Sequence, residues 1–420
     1  MKSSSIRQIP NTNVLYKTFV LICIHIIAIS CTASTNIIHP KYVNPTGNEF
    51  PILGSGTFSF ESNINPKNFR ILREAGFNIS LAMVATKALT IQTLEAAEGS
   101  GVKIIVNDPD IKNLNTIPTA VSSYRDKPNV MGYYITDEPK ADAFKKWKEY
   151  RDLIYEYDSI HIPYINLFPI VDRKRQPADQ YESYLRDFID ILDLPMFSYD
   201  NYPIIKQNGE IIIKDTFYEN LEIAAKVSTD TQIPFWAFCL STRHLNYPLP
   251  TKTHLTFEAF SALAYGAQGI SYYNYIAPRH SSIKHFEAPA DSLGRKTKLW
   301  YIVRDVNQQI QNLSFVFLGA KLIGVWHTGN QIPIGTTRLT ELPNPFKNLK
   351  SEKEGVLVSH LVNNGHQYLV IVNHDILKSQ LISLDKETYV KRIYPDGKVK
   401  AHSSSKFKLD PGGYAIFSWD

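Results

Sequence analysis

The feature that most constrains the fold is a unit that recurs through the middle of the chain: a short apolar run, a loop and an amphipathic helical pattern. Successive apolar runs begin about 30 residues apart, which is the length of one strand, one helix and their loops. Most positions within each run are apolar, as expected of parallel strands that are buried on both faces. The eight predicted strands are 50–58, 77–84, 102–107, 129–135, 162–168, 196–202, 233–240 and 269–275.

These units, between residues 50 and 318, predict an α/β fold, a (β/α)8 TIM barrel, and their span matches the usual size of that fold. The alternative is an open, doubly wound parallel sheet. It is disfavoured because the segment 53–57, after the first strand, lacks the third glycine and the helix start of a phosphate-binding loop.

Residues 319–420 follow a different pattern, in which apolar and polar residues alternate over short segments. Asn364-Gly365 and Asp396-Gly397 are dipeptides typical of tight hairpin turns. These features predict an antiparallel β-sandwich accessory domain after the barrel. Its predicted strands are 356–361, 368–372, 389–394 and 414–419.

The first 31 residues have the pattern of an export signal, with basic residues followed by an apolar run that is too short to span a membrane comfortably. The sequence Ala-Ile-Ser-Cys at 28–31 resembles the processing site of a bacterial lipoprotein, at which the cysteine receives lipid. We therefore expect an exported protein that is lipid-anchored through Cys31 in the cell envelope, either in the periplasm or on the outer-membrane surface. Residues 32–49 would form a tether. The alternative is ordinary secretion, with cleavage near Ser34.

The charge, the cysteine content and the sequence motifs limit which partners and cofactors are expected. The formal net charge is +5, and removal of Lys2, Arg7 and Lys17 with the signal reduces it to +2. This balance gives no case for nucleic-acid binding. Only Cys239 follows Cys31, so an intrachain disulfide is not expected. The sequence contains no recognisable metal or cofactor motif, so we expect no metal, no cofactor and no obligate protein partner.

The carboxyl ends of the strands are where a barrel of this kind builds its site. The side chains predicted there are carboxylates, amides and aromatic rings, without a basic phosphate clamp. Carboxylates transfer protons, amides bind hydroxyl groups and aromatic faces stack on sugar rings, as glycoside cleavage requires. The candidate residues are Asn107, Asp108, Asp137, Glu138, Asn166, Tyr199, Asp200, Tyr202, Trp236, Cys239, Tyr273, Asn274 and Tyr275.

The most informative of these candidates are two adjacent acids that end the fourth predicted strand. Asp137 and Glu138 follow an apolar and aromatic run, and Pro139 stops the strand because proline cannot donate to a sheet ladder. Acids at this position lie where α/β barrels place catalytic groups. The alternative is that Asp137 caps a helix that begins near Lys140.

This stretch carries a resemblance to a known group of enzymes. The segment 132–139, Gly-Tyr-Tyr-Ile-Thr-Asp-Glu-Pro, resembles the strand-4 motif of clan A glycoside hydrolases, especially those related to the β-galactosidase barrels. Segments 164–169 and 198–203 are similar to those of uncharacterised glycosidase-like lipoproteins of gut and marine bacteria, of Bacteroidetes type. Segment 409–417 resembles the closing strand of the sandwich on many barrel glycosidases. The resemblance implies an O-glycosyl hydrolase with Glu138 as its acid/base.

The chain departs from the clan pattern at two places. Asp137 stands where the clan usually has an asparagine that bonds the sugar 2-hydroxyl. The seventh strand carries no acid at its end, where the clan places its nucleophile, and Glu258 on the following helix is expected to face solvent. The second carboxylate must therefore come from elsewhere. Asp200 is the first choice, and Asp108 and Asp110 follow, although turn chemistry accounts for each of them as well. Asp137 is a further choice.

The aromatic candidates divide by their distance from the strand ends. Lining the cleft and packing in the core are equal alternatives for Tyr202, Trp236, Tyr273 and Tyr275. Core packing is expected for Tyr133, Phe168, Phe197 and Phe235. We also expect Cys239 to be a buried strand residue rather than a nucleophile, because no base is placed beside it, although His244 is close in sequence.

The sequence therefore predicts a glycoside hydrolase that cleaves oligo- or polysaccharides by a two-carboxylate mechanism. Glu138 would be the acid/base, with its pKa raised by burial or by Asp137, and Asp200 would be its partner. The substrate-binding set would be Asn107, Asp108, Asn166, Tyr202, Trp236, Tyr273 and Tyr275. The missing acid on the seventh strand motivates an alternative, a non-catalytic carbohydrate-binding lipoprotein on the same scaffold. A barrel lyase or aldolase is disfavoured because no predicted strand ends in lysine.

Overall fold

A computed structural model describes residues 42–278, 283–352 and 354–420. The predicted export signal, Cys31 and most of the predicted tether lie outside these ranges. Within them, no helix combines the length and the apolar character that crossing a membrane would require.

The first ten strands include the whole of the predicted barrel. They are β1 (Ile52–Ser55), β2 (Ile79–Leu81), β3 (Lys103–Val106), β4 (Val130–Asp137), β5 (Ile162–Leu167), β6 (Phe197–Asp200), β7 (Ile204–Gln207), β8 (Glu210–Ile213), β9 (Phe235–Leu240) and β10 (Gly269–Tyr273). Eight of them close into a parallel barrel in the order β1–β10–β9–β6–β5–β4–β3–β2, which confirms the predicted TIM barrel. All but β4 lie within their predicted ranges, and β4 continues to Asp137.

A helix follows each barrel strand, as the repeated unit predicts. The helices are α1 (Pro66–Glu74), α2 (Lys87–Ala97), α3 (Ile117–Tyr124), α4 (Phe144–Tyr157), α5 (Ala178–Leu192), α6 (Thr216–Thr231), α7 (Lys252–Ala264), α8 (Lys298–Asn312) and the short α9 (Ser314–Phe317). Two 3₁₀ turns, Pro109–Lys112 and Ala141–Ala143, precede α3 and α4.

Side chains fill the inside of the barrel below its mouth. Residues spaced by two along each strand point inward, so Ile162 and Tyr164 of β5 and Trp236 and Phe238 of β9 share this interior core. Trp236 lies opposite Gly269 on β10, where a Cβ atom would come within 2.4 Å of the indole ring. The glycine therefore makes room for the largest side chain of the interior.

The alternate residues of the strands pack against the helices. Tyr133, Phe197 and Phe235 are buried in this outer core, and Phe168 packs against it, as predicted. Cys239 is also buried there, as predicted, and burial raises the pKa of its thiol well above the ordinary value.

A hairpin that the sequence analysis did not predict lies between β6 and α6. Strands β7 and β8 pair antiparallel around Asn208 and Gly209, which both have positive φ angles of 51° and 90°. Asn-Gly at the centre of a two-residue turn is a strong hairpin signal. The flanking strands are short and partly exposed, so the residues beside this turn give only a weak strand signal.

The chain after α9 forms two antiparallel sheets. Their strands are β11 (Lys321–His327), β12 (Phe346–Lys350), β13 (Val356–Asn363), β14 (His366–Asn373), β15 (Gln380–Lys386), β16 (Lys391–Ile393), β17 (Val399–Ala401), β18 (Lys406–Leu409) and β19 (Tyr414–Trp419). One sheet has the order β11–β13–β14–β19–β16–β17 and the other β12–β15–β18. They enclose a separate apolar core, which confirms the predicted sandwich. The dipeptides Asn364-Gly365 and Asp396-Gly397 form hairpin turns, as predicted.

The six-stranded sheet also packs against the barrel through α7. The ring of Tyr414 on β19 stacks on that of Phe260 on α7, with centroids 3.6 Å apart. The Ser359 hydroxyl on β13 donates to the Ala264 carbonyl at 2.6 Å. Because this sheet buries one face in the sandwich core and the other against α7, the two parts of the structure share a continuous interior.

Candidate active site

The mouth of the barrel holds a cavity of about 710 Å³ at the carboxyl ends of the strands. This volume is in the range of small-molecule sites. Its acidic residues, Asp137, Glu138 and Asp200, lie at or just after the ends of β4 and β6, and Asn166 comes from β5. Other polar lining residues come from the ends of β1 and β10 and from loops.

An irregularity in β4 aims the two adjacent acids. Tyr134 lies opposite Tyr164 on β5, whereas Thr136 lies opposite Ile165, so Ile135 is an extra residue in β4. Such a bulge bends the strand and re-aims the side chains that follow it. Asp137 is thereby placed beside Asn166, its register partner on β5.

Lys112 stabilises this bulge by hydrogen bonds to its backbone. Its ammonium group donates to the carbonyl oxygens of Tyr134 and Ile135, at 2.5 and 2.8 Å, and lies 4.2 Å from the centre of the Tyr134 ring. Burial lowers the pKa of Lys112 to about 8, and the charge of Asp137 opposes that shift. The lysine therefore satisfies backbone acceptors that the bulge removes from regular pairing, and it places a positive charge near Asp137.

Glu138 turns into the cavity through an unusual backbone conformation. Its φ angle is 45°, in the left-handed region that few residues other than glycine adopt. The Glu138 N–H donates to the Asn166 carbonyl at 2.8 Å, which holds this turn onto β5. A strained residue that carries a carboxyl group into a cavity is typical of functional sites.

Asn166 connects the acids on either side of it. Its amide nitrogen donates to Asp200 at 2.9 Å and to Asp137 at 3.3 Å. Its amide oxygen accepts from the Ser198 hydroxyl at 3.0 Å, and that hydroxyl also bonds to Tyr164 at 2.8 Å. Because Ser198 engages the oxygen, the NH₂ group of Asn166 faces the two carboxylates and favours their ionised forms.

The carboxyl group of Glu138 has the opposite environment. Burial, the charges of Asp200 and Asp137 and a hydrogen bond with Asp200 raise its pKa to about 8. A neutral glutamic acid at pH 7 can donate a proton to a bound molecule.

The two aspartates differ from this glutamate in their partners. Burial and the charge of Asp137 raise the pKa of Asp200 to about 6, while hydrogen bonds from Asn166 and Tyr202 oppose that rise. Burial also raises the pKa of Asp137, against the effects of Asn166 and Lys112, although its side chain is accessible from the cavity. Near neutral pH the site therefore combines one proton donor with an ionised carboxylate in hydrogen-bonding range of it.

The cavity brings together most of the predicted acid, amide and aromatic candidates. Those that line it are Asp137, Glu138, Asn166, Asp200, Tyr202, Tyr273 and Asn274. The rings of Tyr202 and Tyr273 lie 5.8 Å apart and form an aromatic wall next to Asp200.

Two predicted polar residues after β3 do not line the cavity. Asp108 is fully buried, where it accepts from the Asp110 N–H at 2.7 Å and from the Tyr124 hydroxyl. It therefore caps a 3₁₀ turn, as the turn chemistry of this segment allows, and neither acid joins the carboxylates of the cavity. Asn107 contacts the cavity-lining Met83 through a 3.5 Å N–H···S contact.

Two predicted aromatic residues also do not line the cavity. One lies too deep in the barrel, and the other points outward from it. Trp236 is buried below the cavity in the barrel interior. Tyr275 is buried in the outer core, where its ring packs edge-on against Phe58 and Phe77. Tyr199 points outward into that core as well. The expectation that Trp236 and Tyr275 bind substrate is corrected accordingly.

The expectation that Glu258 faces solvent is wrong. Its side chain is 4% exposed and accepts the Leu240 N–H at 2.7 Å, at the end of β9. Burial raises its pKa to about 8, against the effects of that hydrogen bond and of Lys214. Helix α7 lies between the barrel and the sandwich, so a position that would be exposed on an outer helix is enclosed here.

Several residues of the cavity were not predicted. Tyr134 and Tyr164 line its floor. Alternation along β5 from Asn166 could have identified Tyr164, whereas the extra residue at Ile135 interrupts the alternation between Tyr134 and Asp137. Phe60 and His244 belong to loops beyond the strand ends, where no sequence period applies, whereas Met83 continues the alternation of β2 two residues after Leu81.

Comparison with known proteins gives a likeness in structure but not in sequence. No protein-family model matches the chain, and no curated protein was found to match it. A β-galactosidase from Bacillus circulans sp. alkalophilus has a TM-score of 0.60 at 9% identity, over 89% of this chain and 99% of that one. A catalytic mutant of a GH42 β-galactosidase from G. stearothermophilus gives 0.54 at 10%, over 89% and 98%. A glycoside hydrolase of family 5 from Bacteroides vulgatus gives 0.54 at 14%, over 88% and 89%.

At these identities the comparison establishes the fold. The chain has the barrel scaffold that these clan A glycoside hydrolases use, which confirms the predicted likeness at the level of structure. Activity must be argued from the side chains of the cavity.

The burial of Glu258 generates the first prediction. A carboxyl group with a folded pKa of about 8 and an ordinary value of 4.5 keeps its proton in the folded state but loses it on unfolding. The free energy of unfolding should therefore fall with rising pH across this window, by up to about 1.4 kcal/mol per pH unit. Glu258→Gln keeps an oxygen for the Leu240 N–H and removes the titration.

Denaturant unfolding of the parent and the Gln variant at pH 5 and pH 8 provides the measurement. We expect the variant to gain stability relative to the parent at the higher pH. The matched control is Glu149→Gln, on an exposed position of α4. The same stability difference for Glu258→Gln at both pH values would contradict the prediction.

Proposed function

We propose that this protein is a glycoside hydrolase that uses two carboxylates, with Glu138 as the general acid/base and Asp200 as its partner. The observation that carries the proposal is the placement of Glu138 beside Asp200 at the base of a cavity in a barrel mouth, with Asn166 donating to Asp200 at 2.9 Å. The shifts in pKa agree with this arrangement, because they favour a proton on Glu138 and an ionised Asp200. The barrel scaffold of the structural neighbours supports it.

In the proposed reaction, protonated Glu138 donates to the oxygen of the leaving group as the glycosidic bond breaks. Positive charge then develops on the sugar ring, and the ionised Asp200 stabilises it. Asp200 either attacks the anomeric carbon or activates a water molecule. Asn166 contributes by donating to Asp200, which fixes the orientation of that carboxylate and keeps it ionised.

The substrate must separate the two carboxyl groups. Catalytic carboxyls lie about 5 Å apart in retaining glycosidases and farther apart in inverting ones, whereas Glu138 and Asp200 are in hydrogen-bonding range. A sugar that enters between them breaks this bond. Glu138 holds the proton before the sugar enters, because its pKa is the higher of the two in the free protein.

One observation favours a second function, carbohydrate binding without catalysis. The cavity-facing residue near the end of β9 is Phe238, and the buried Leu240 follows it, at the place where the resembled clan has its nucleophile. A binding protein would retain the acids and aromatic rings as hydrogen-bonding and stacking groups. The two functions differ in the effect of Glu138→Gln. This change abolishes turnover in an enzyme, whereas it leaves affinity nearly unchanged in a binding protein, because the amide still forms hydrogen bonds.

The second prediction concerns the carboxylates. Residues 32–420 should release sugar from at least one member of a panel of plant, algal and host glycans. Glu138→Gln and Asp200→Asn should each lower kcat/KM by roughly 100- to 10,000-fold, because each removes one half of the acid–base pair. Asp137→Asn should cost less, since that group acts mainly through the charge it places near Glu138.

The matched control is Asp126→Asn, whose side chain is 90% exposed and which precedes β4 at the opposite end of the barrel. Its rate should equal that of the parent. No release from any glycan, together with equal glycan affinity for the parent and both carboxylate variants, would replace the enzyme with the binding protein.

The third prediction is the pH dependence of the reaction. Asp200 must be ionised, so activity should fall as the pH drops below about 6, and Glu138 must be protonated, so activity should fall above about 8. A plot of kcat/KM against pH should therefore be bell-shaped, with its maximum between these values. A profile that stays flat from pH 5 to pH 9 would disprove the assignment of the two roles.

We also propose that the protein is exported and held in the cell envelope by lipid on Cys31. The proposal rests on the sequence at 28–31 and on the apolar run that precedes it. The fourth prediction is that Cys31→Ser moves the protein from the detergent-soluble membrane fraction of the expressing bacterium to the soluble fraction. Cys23→Ser is the control, and it should leave the fractionation unchanged. An equal distribution of all three proteins would indicate ordinary secretion.

A further inference from the structure

The cavity has two chemically different walls. In the closed barrel β5 lies directly across from β1, so the acids of β4 to β6 face the extensions of β1, β2 and β10. The apolar side chains on that opposite side include Phe60, Met83 and Ile276. The acids therefore lie on one side of the cavity, and Phe60, Met83 and Ile276 form an apolar wall on the other. Smaller polar residues lie beside this wall, and they include Ser55, Thr57, Ser59, Asn63 and Asn274.

Met83 belongs to this apolar wall by strand alternation. Leu81, Met83 and Ala85 follow one another at a spacing of two and all line the cavity, whereas the intervening Ala82 and Val84 are buried in the outer core. The Met83 side chain is 44% exposed. An unbranched thioether adapts its shape to apolar ligands at little cost.

Phe60 is presented to the cavity by an ordered loop. The Asn63 side chain accepts the Phe60 N–H at 3.0 Å and donates to the Ser292 carbonyl at 3.1 Å, and it is itself buried. On the other side of the loop, the Thr57 hydroxyl bonds to that of Ser80 at 2.7 Å. These contacts fix the backbone on both sides of a phenyl ring that stays 38% exposed.

Ile276 joins the wall to β10. Its N–H donates to the Gly56 carbonyl at 3.0 Å, which ties the extension of β10 to the loop that carries Phe60. The three side chains thus come from three neighbouring segments of the barrel, and two of them are large apolar groups exposed in the cavity. Exposed apolar surface concentrated in a cavity marks a ligand contact.

We infer that this wall binds an apolar, non-sugar group joined to the sugar through the bond that is cleaved, so that the preferred substrates are short alkyl or aryl glycosides. This inference rests on the proposed function. Sugar hydroxyl groups need hydrogen-bonding partners, whereas Phe60, Met83 and Ile276 present phenyl, thioether and alkyl groups. Of the polar side chains beside them, Thr57 is bonded to Ser80, and Asn63 is bonded to the Phe60 N–H and the Ser292 carbonyl. The acids and Asn166 across the cavity supply the donors and acceptors that a sugar requires. A cavity of about 710 Å³ accommodates one sugar with a short apolar group.

The fifth prediction tests this with n-alkyl glycosides of the sugar identified by the glycan panel. Methyl, butyl and hexyl glycosides have leaving alcohols of similar acidity, so differences in kcat/KM report contacts with the alkyl chain. For the parent, we expect kcat/KM to rise at least about tenfold from methyl to hexyl. Phe60→Ser and Met83→Gln should each lower the hexyl-to-methyl ratio of kcat/KM roughly threefold or more, because each removes apolar contacts with the longer chain.

Leu381→Ser is the matched control, because Leu381 is 53% exposed on β15 of the sandwich. Its hexyl-to-methyl ratio should equal that of the parent. A parent without dependence on chain length would overturn the inference, as would wall variants that slow the methyl and hexyl glycosides equally.

A binding measurement separates failure of this inference from failure of the proposed function. The probe is the neutral fluorophore N-phenyl-1-naphthylamine, titrated into the parent, Phe60→Ser and Leu381→Ser proteins. Binding that hexyl glucoside displaces and that Phe60→Ser weakens supports the apolar wall, even if no glycoside is hydrolysed. Absence of binding to the parent, or equal binding to all three proteins, overturns it.

Discussion

The organisation of the cavity depends on one amide side chain. Asn166 on β5 lies between acids from β4 and β6, and it can donate to both only because Ser198 occupies its oxygen. If Asn166 presented its oxygen instead, the carboxylates of Asp137 and Asp200 would lose their shared N–H donor and would face a partial negative charge. That is costly at a partly enclosed site. The N–H groups of this amide therefore offset part of the repulsion between the neighbouring acids. The amide also makes the acids unequal, because Glu138 lies next to negative charge whereas Asp200 receives an N–H donor.

The sandwich contributes to the site at a distance. Helix α7 contacts the six-stranded sheet through Phe260 and Ala264, and on its other side Glu258 accepts the N–H of Leu240 at the end of β9. The helix is therefore fixed from both directions, and with it the strand end from which the loop carrying His244 departs. The sandwich, whose described residues do not line the cavity, thus helps to hold the end of β9 in place through α7.

The sequence was sufficient for the barrel, for the sandwich and for the acids at the ends of β4 and β6, because each depends on local periodicity or on a position next to a proline or turn. Tertiary packing decided the rest. Glu258 was assigned to solvent because the helical period cannot reveal that a sandwich covers that face. Trp236 was placed in the cleft because its depth along β9 depends on the register with Gly269. The extra residue at Ile135, which aims both acids, is a property of strand pairing and has no local sequence signal.

The features that cost stability converge on one segment of the chain. A bulge at Ile135, a left-handed φ angle at Glu138 and adjacent acids all occur within four residues, and a buried lysine, Lys112, is needed to satisfy the carbonyl groups that the bulge exposes. Closure of the barrel does not require these features. The barrel strand pairs that do not include β4 have a regular register, and the shifts occur where β4 pairs with β3 and β5. Departures from local preference that are held in place by specific partners are expected where a site needs a geometry that regular structure does not provide. The strained end of β4 therefore supports a functional role for Glu138 with evidence that does not depend on the charges around it.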